Sequence, residues 1–270
     1  MKYGAGHAEI AFVNSFDLTG RVALVTGAGS DHGIGFAIAR ALDALGAEVS
    51  VAATTERIHE RAAALGPESR GIVADLTDAD AVGALVSAVA QRRGRLDIVV
   101  NNAGMASMAR GTDAALPLDA LTPAQWNDTI ARNLTTAFLV CRAAVPLMRA
   151  AGYGRIINIA STTGPVAAFR DGSAYAAAKA GMVGMTRALA LEVARDGITV
   201  NAVAPGWIDT PSVSDAERRA GAASPMGRSG TPDEVGAAVA FLATPAASYI
   251  TATLLVIDGG NAIAEDHAHG

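Results

Sequence analysis

Short runs rich in Val, Ile and Ala alternate along this chain with longer Ala-rich stretches in which polar residues are spaced at helical intervals. The short runs are Val22–Thr26, Glu48–Ala53, Arg70–Ala74, Ile98–Asn101, Arg155–Ile159, Thr199–Ala204 and Thr253–Ile257. Most are apolar at consecutive rather than alternate positions, the mark of strands covered on both faces of a parallel sheet. The longer stretches, Ile34–Leu45, Glu56–Leu65, Ala79–Arg92, Ala124–Arg149, Tyr175–Arg195 and Asp233–Ala243, read as helices. Asp78 and the pair Thr231-Pro232 supply helix starts, and Gly46, Gly66 and Gly94 stand where helices should stop. Such alternation predicts right-handed βαβ units, and therefore a doubly wound α/β fold. No repeat, low-complexity tract or linker interrupts it. One domain is expected over residues 1–270, with its core from about 18 to 261.

Composition narrows the class without changing that picture. Of 270 residues, 51% are hydrophobic and 17% charged, which supplies a sizeable core and excludes bulk disorder. The net charge of −5, with no basic block, argues against nucleic acid as a partner. Cys141 is the single cysteine, and the five histidines show no zinc-like spacing, so neither a disulfide nor a metal site is expected. A reducing compartment, the cytoplasm, fits best. Met1–Gly20 lacks the pattern of a secretory signal. Val235–Ile257 carries no charge and is long enough on paper to span a bilayer. Pro245 and the polar residues Ser248, Tyr249, Thr251 and Thr253 instead predict a buried helix, a turn and a core strand, with no membrane partner. The first 15 residues and the tail after Asn261 are expected to be poorly ordered.

Candidate chemistry collects at the ends of the predicted strands. The first strand runs into Thr26-Gly-Ala-Gly-Ser-Asp-His-Gly-Ile-Gly35 and then a helix, an arrangement that lets backbone N–H groups meet a pyrophosphate. Gly27, Gly33 and Gly35 are the candidates for the tight turn, the close approach and the strand–helix contact. Asp75-Leu76 ends the third strand, where a carboxylate can accept from an adenine amino group. Asn101-Asn102-Ala103-Gly104 ends the fourth, and Pro205-Gly206-Trp207-Ile208-Asp209-Thr210 the sixth. Each alone is an ordinary turn signal, but together they lie at the edge where open α/β sheets bind ligands.

Tyr175 and Lys179 stand four residues apart, on one face of a predicted helix, with Ser161 upstream. An ammonium there lowers a phenol's pKa from its ordinary value of about 10, so that it can exchange a proton near neutral pH. Such a pair also arises often by chance, as a lysine beside a packed aromatic. The strand-end motifs decide between the two, because they supply a hydride carrier for the acid.

With these motifs in order, the chain resembles the short-chain dehydrogenase/reductase family from about Leu18 to Asn261. The resemblance rests on the Thr-Gly…Gly-Ile-Gly turn, Asp75, Asn-Asn-Ala-Gly, Asn133 in Asn-Leu-Thr-Thr-Ala-Phe, Ser161, Tyr175-x-x-x-Lys179 and Pro-Gly-x-x-x-Thr210. It implies a seven-stranded Rossmann-type sheet, NADP or NAD as cofactor, and a homotetramer whose long helices pack against neighbouring subunits. It further implies that Tyr175 is the general acid and base and that Lys179 lowers its pKa and binds the nicotinamide ribose. Ser161 would hold the substrate oxygen, and Asn133 a water linking Lys179 to a proton relay. The implied cofactor contacts are Gly27, Ser30, His32, Gly33, Ile34, Gly35, Thr54, Asp75, Leu76, Asn102, Ala103, Gly104, Tyr175, Lys179, Pro205, Gly206, Ile208 and Thr210. The substrate class is a ketone or secondary alcohol, and 3-oxoacyl-carrier-protein reductases are among the enzymes the chain is similar to. A carrier-bound substrate would use Arg110, Arg170, Arg218, Arg219 or Arg228 at the pocket mouth. A dinucleotide sensor without activity is the alternative from another class, disfavoured because both Tyr175 and Lys179 are present.

The chain also departs from the family pattern. Five residues separate Gly27 from Gly33, where most of the family has three. This length resembles enoyl reductases, but those space the tyrosine and lysine more widely, so carbonyl reduction is preferred. The Ser161-to-Tyr175 gap is one residue longer than usual, and the Met105–Leu118 stretch is extended beside the expected substrate pocket. Ala252 replaces a glycine before the last strand. At the end of the second strand, where NAD-preferring relatives carry an acid, stands Ala53, followed by Thr54-Thr55-Glu56-Arg57. Loss of the acid removes repulsion of a 2′-phosphate, and Thr54, Thr55, Arg57 or His32 can meet one, so NADP is the expected cofactor.

Overall fold

In the computed structural model, which describes residues 14–104 and 116–264, all seven expected strands pair in one parallel sheet of order β3-β2-β1-β4-β5-β6-β7. They are β1 (Val22–Thr26), β2 (Glu48–Ala53), β3 (Arg70–Val73), β4 (Ile98–Asn101), β5 (Gly154–Ile159), β6 (Ile198–Pro205) and β7 (Leu254–Ile257). The eight helices described are α1 (Ile34–Ala44), α2 (Arg57–Leu65), α3 (Ala79–Gln91), α4 (Pro123–Ile130), α5 (Thr136–Ala151), α6 (Ser173–Val193), α7 (Asp215–Ala222) and α8 (Pro232–Ala243). The order reverses between β1 and β4, where Val25 pairs with Val51 on β2 and with Val100 on β4, which places a topological switch point at the ends of these two strands.

Strands β1, β4, β5 and β6 are buried at every position, as their unbroken apolar runs require. One face packs against α1 and α8 through Ile38, Leu42, Val235, Val239 and Leu242, and the other against α3 and α5 through Leu85, Val89, Val140 and Met148. Burying each such side chain contributes roughly 1.5–3 kcal/mol before the entropy of ordering the chain is set against it. The Asp78 carboxylate accepts from the N–H groups of Asp80 and Ala81 at the start of α3, and Thr231 with Glu234 forms a capping box on α8.

Three local expectations change. The predicted Ala124–Arg149 helix is α4 and α5 joined by a π-helical turn, Ala131–Thr135. A helix absent from the sequence reading, α7, forms within the Ser212–Ser229 segment on a capping box of Ser214 and Glu217. The chain after Asn261 continues in a short 3-10 turn, where the Asp258 carboxylate accepts from the Ala262 N–H at 2.7 Å. Ala252 adopts a left-handed φ of 62°, the conformation a glycine would take without strain. Val235–Ile257 divides into most of α8, a 3-10 turn and β7, as its polar interruptions predict. Another run, Pro123–Ala151, is long and apolar enough by length and composition to cross a membrane, although α5 packs on the sheet and on α3. The extended Met105–Leu118 stretch lies outside the described residues apart from residues 116–118, and so do Arg110 and most of the two termini.

Candidate active site

The strand ends hold one another in place. Gly27 turns β1 out of the sheet with φ 69°, and its N–H donates to the Ala52 carbonyl at 2.8 Å. The Thr26 hydroxyl accepts from the N–H groups of Asn102 and Ala103, both at 3.1 Å, and donates to the Val100 carbonyl. Asn102 Nδ2 reaches back to the carbonyls of Thr26 and Gly27 at 3.1 and 3.0 Å. A methyl group at Gly27 would lie 2.8 Å from Ala103, and one at Gly35 would lie 2.5 Å from Asn102 Nδ2. Glycine is therefore needed at both positions for strand, turn and helix to meet. Thr26, the hub of this cluster, was missed in the sequence because a threonine ending a strand carries no distinctive signal.

Behind the turn, α1 begins at Gly33 with no side-chain cap and no acidic residue in its first turn. Its leading N–H groups and partial positive charge suit a pyrophosphate. Gly104 (φ 141°) lies against Asn133, since a methyl there would come within 2.7 Å of Asn133 Oδ1. Asn133 is buried in the π-helical turn, where its Nδ2 donates to the Thr129 carbonyl at 3.1 Å, and that turn packs on α6. Short π-helical turns occur preferentially at functional sites.

Ser161 follows β5 and accepts from the Thr163 N–H at 3.1 Å; its hydroxyl also hydrogen-bonds the Tyr175 phenol. Lys179 is buried, and its Nζ donates to the Ile159 carbonyl at 2.8 Å while standing 5.6 Å from the centre of the Tyr175 ring. Burial pushes the lysine down to about 8. The expected lowering of the phenol's pKa by Lys179 is not found in this arrangement. Burial raises the Tyr175 pKa, and the bond from Ser161 opposes it only in part. Geometry accounts for this: the ammonium's hydrogen bond goes to the main-chain carbonyl of Ile159, whereas the phenol bonds Ser161.

The remaining candidates divide by exposure. Asp75 is exposed, and its Oδ1 accepts from the Thr77 hydroxyl and N–H, which hold the carboxyl below its usual range. Leu76 and Ile208 bury their side chains in the core. Gly206 donates to the Ile257 carbonyl, and Ile208 bridges to Gly230, drawing both ends of the Ser212–Ser229 segment together at the rim. The Thr210 hydroxyl lies 3.1 Å from that of Ser212. Ile34 opens α1, whereas Ser30, His32 and Thr54 are exposed around the glycine turn. Two arginines of the Ser212–Ser229 segment are committed locally: Arg228 forms a two-pronged pair with Glu234, and Arg218 pairs with Asp215. These two residues line a cleft of about 450 Å³ with Asp209, Ser229, Thr231 and Glu234. Arg170 and Arg219 are exposed.

The family model described as enoyl-(acyl carrier protein) reductase matches residues 27–262. The chain belongs to the short-chain dehydrogenase/reductase family. It is 42% identical over 247 residues to cis-4-hydroxycyclohexanecarboxylate dehydrogenase of Sinomonas cyclohexanicum, covering 89% of this chain and 96% of that one. It is also 42% identical to the 3-oxoacyl-[acyl-carrier-protein] reductase of Escherichia coli (strain K12), covering 89% and 97%. Among solved structures, levodione reductase superposes with a TM-score of 0.84 at 36% identity, covering 91% of this chain and 99% of that one. Family membership makes this chain an oxidoreductase.

Proposed function

We propose that the protein transfers hydride between NADP(H) and a ketone or secondary alcohol. One observation carries this reading: Ser161, Tyr175 and Lys179 converge at the carboxyl rim of the sheet, beside a glycine turn that leads into an uncapped helix. The dinucleotide supplies the hydride when bound. Gly27, Ser30, Gly33, Ile34 and Gly35 would hold its phosphates, and Asp75 with Leu76 its adenine. Asn102, Ala103, Gly104, Pro205, Gly206, Ile208 and Thr210 would line the nicotinamide half. His32 and Thr54 would stand at the adenosine ribose.

In reduction, Tyr175 donates its phenolic proton to the carbonyl oxygen, and in oxidation it takes that proton back. Ser161 donates to the same oxygen as negative charge develops on it. Lys179, still largely protonated at neutral pH, would hold the ribose hydroxyls. Asn133 connects Lys179 to water. The three-residue spacing between Tyr175 and Lys179 supports carbonyl rather than enoyl chemistry.

Loss of an acid at Ala53 supports NADP, and NADPH should outperform NADH by about tenfold, or about 1.4 kcal/mol. Exposed apolar residues on α5 and α6, Phe138 and Leu191, support a homotetramer built on those helices. A cytoplasmic location accords with the buried, unpaired Cys141. The named 3-oxoacyl reductases favour a carrier-bound substrate as a second reading, whereas the local pairing of Arg218 and Arg228 favours a free small molecule. A screen of NADPH and NADH consumption over 3-oxoacyl thioesters, cyclic ketones and keto-sugars separates the two. Oxidation of neither nucleotide by any of these classes would contradict the reaction class.

A further inference from the structure

The two residues by which the glycine turn exceeds the usual family length have a structural destination. Asp31, in the lengthened part, accepts from the His32 N–H at 3.0 Å through Oδ1 and places Oδ2 3.4 Å from Nη1 of Arg61. Arg61 lies one turn into α2, the helix that follows β2. The turn rests on the end of β2, since a methyl at Gly29 would sit 3.2 Å from the Ala53 side chain. This is the place in an open α/β sheet that faces the 2′ oxygen of the adenosine ribose.

Arg61 differs from the other basic residues nearby. Its side chain is only 18% exposed, and its guanidinium lies 5.8 Å from the centre of the Phe36 ring. Its Nε is buried with no hydrogen-bond partner among the described residues. Its two carboxylate partners are looser: Asp31 is 57% exposed, and Glu60, 2.9 Å from Nη2, is 71% exposed. The cation is therefore fixed and its counter-ions are exchangeable, because exposed ion pairs contribute about 1 kcal/mol or less. A phosphate matches the guanidinium fork and carries more charge than a carboxylate. Arg57 also lies near, but it is exposed, and ordering its long side chain on a ligand costs entropy that Arg61 has already lost.

We propose that Arg61 recognises the 2′-phosphate of NADP, and that Asp31 occupies Arg61 in the free protein as an internal stand-in for that phosphate. The inference deepens the cofactor reading above and rests on it. Equilibrium titrations of NADPH and NADH by nucleotide fluorescence, with 2′,5′-ADP and 5′-AMP as competitors, test it without turnover. Arg61→Met should weaken NADPH and 2′,5′-ADP by about tenfold or more and leave NADH and 5′-AMP within about twofold. Asp31→Asn should tighten NADPH by about threefold, and this gain should vanish in the Arg61→Met background. Unchanged NADPH affinity in Arg61→Met overturns the assignment. Should Arg61→Met lose NADH as well, through damage to its packing on Phe36, the exposed Asp31→Asn variant decides alone. Unchanged or weaker NADPH binding in that variant then overturns the assignment. Wild-type protein that binds neither nucleotide refutes the dinucleotide reading itself, an outcome separate from both.

Discussion

The two rims of the sheet handle charge in opposite ways. At the amino rim, groups close on one another: the buried Asp97 carboxylate accepts from the Val22 N–H, Arg21 and Arg95. The Tyr153 ring lies between the guanidinium groups of Arg21 and Arg155, at 3.7 and 4.4 Å. At the carboxyl rim, Lys179 is buried with a main-chain carbonyl as its partner and no carboxylate among the described residues. There α1 begins uncapped, while α8, packed against it, carries a complete capping box. The amino rim closes its charges on one another, whereas the carboxyl rim leaves Lys179 without a carboxylate partner among the described residues and the start of α1 without a side-chain cap.

Lys179→Met should break this contrast most strongly. Without the ammonium, turnover should fall by about 10²–10⁴-fold in steady-state assays. The same variant should melt higher than wild type at pH 7. The folded lysine, at about 8, lies below its ordinary 10.5, so the penalty for burying its charge is complete below pH 8. That penalty, on the order of 3 kcal/mol, is relieved as pH rises from 8 towards 10.5. Thermal melts across this range should show wild type gaining stability relative to the variant.

Asp97→Asn should do the reverse at the amino rim. Denaturant titration should show a loss of about 2–3 kcal/mol, somewhat less than for a wholly buried pair because Arg21 and Arg95 reach water. Turnover per folded molecule should not change. The smallest effect belongs to neither rim chemistry: Ala252→Gly should relieve the left-handed backbone before β7 and add about 1 kcal/mol of stability.

The strands were legible because fully buried strands read as unbroken apolar runs, and the rim because its glycines and asparagines punctuate those runs. The π-helical turn was hidden. Nothing in Ala131–Thr135 departs from helix-forming sequence, and contacts with Gly104 and α6 accompany the extra residue that brings Asn133 inward. Helix α7 escaped because its charged residues Asp215, Glu217, Arg218 and Arg219 leave no apolar stripe, although its capping box was written in the sequence. Spacing placed Tyr175 and Lys179 on one helix face, but it could not tell that Nζ turns to Ile159 or that burial outweighs it at the phenol. Likewise the long glycine turn was visible, while Arg61, thirty residues away, was not identifiable as its partner.

In the function proposed above, the carboxyl rim binds a dinucleotide and Tyr175 moves the proton there. Tyr175→Phe removes one oxygen and keeps the ring. Single-turnover oxidation of NADPH by a ketone substrate, followed beside NADPH binding, tests the claim most directly. The rate should fall by about 10²–10⁴-fold, with nucleotide affinity close to wild type. Undiminished single-turnover rate in Tyr175→Phe would contradict it.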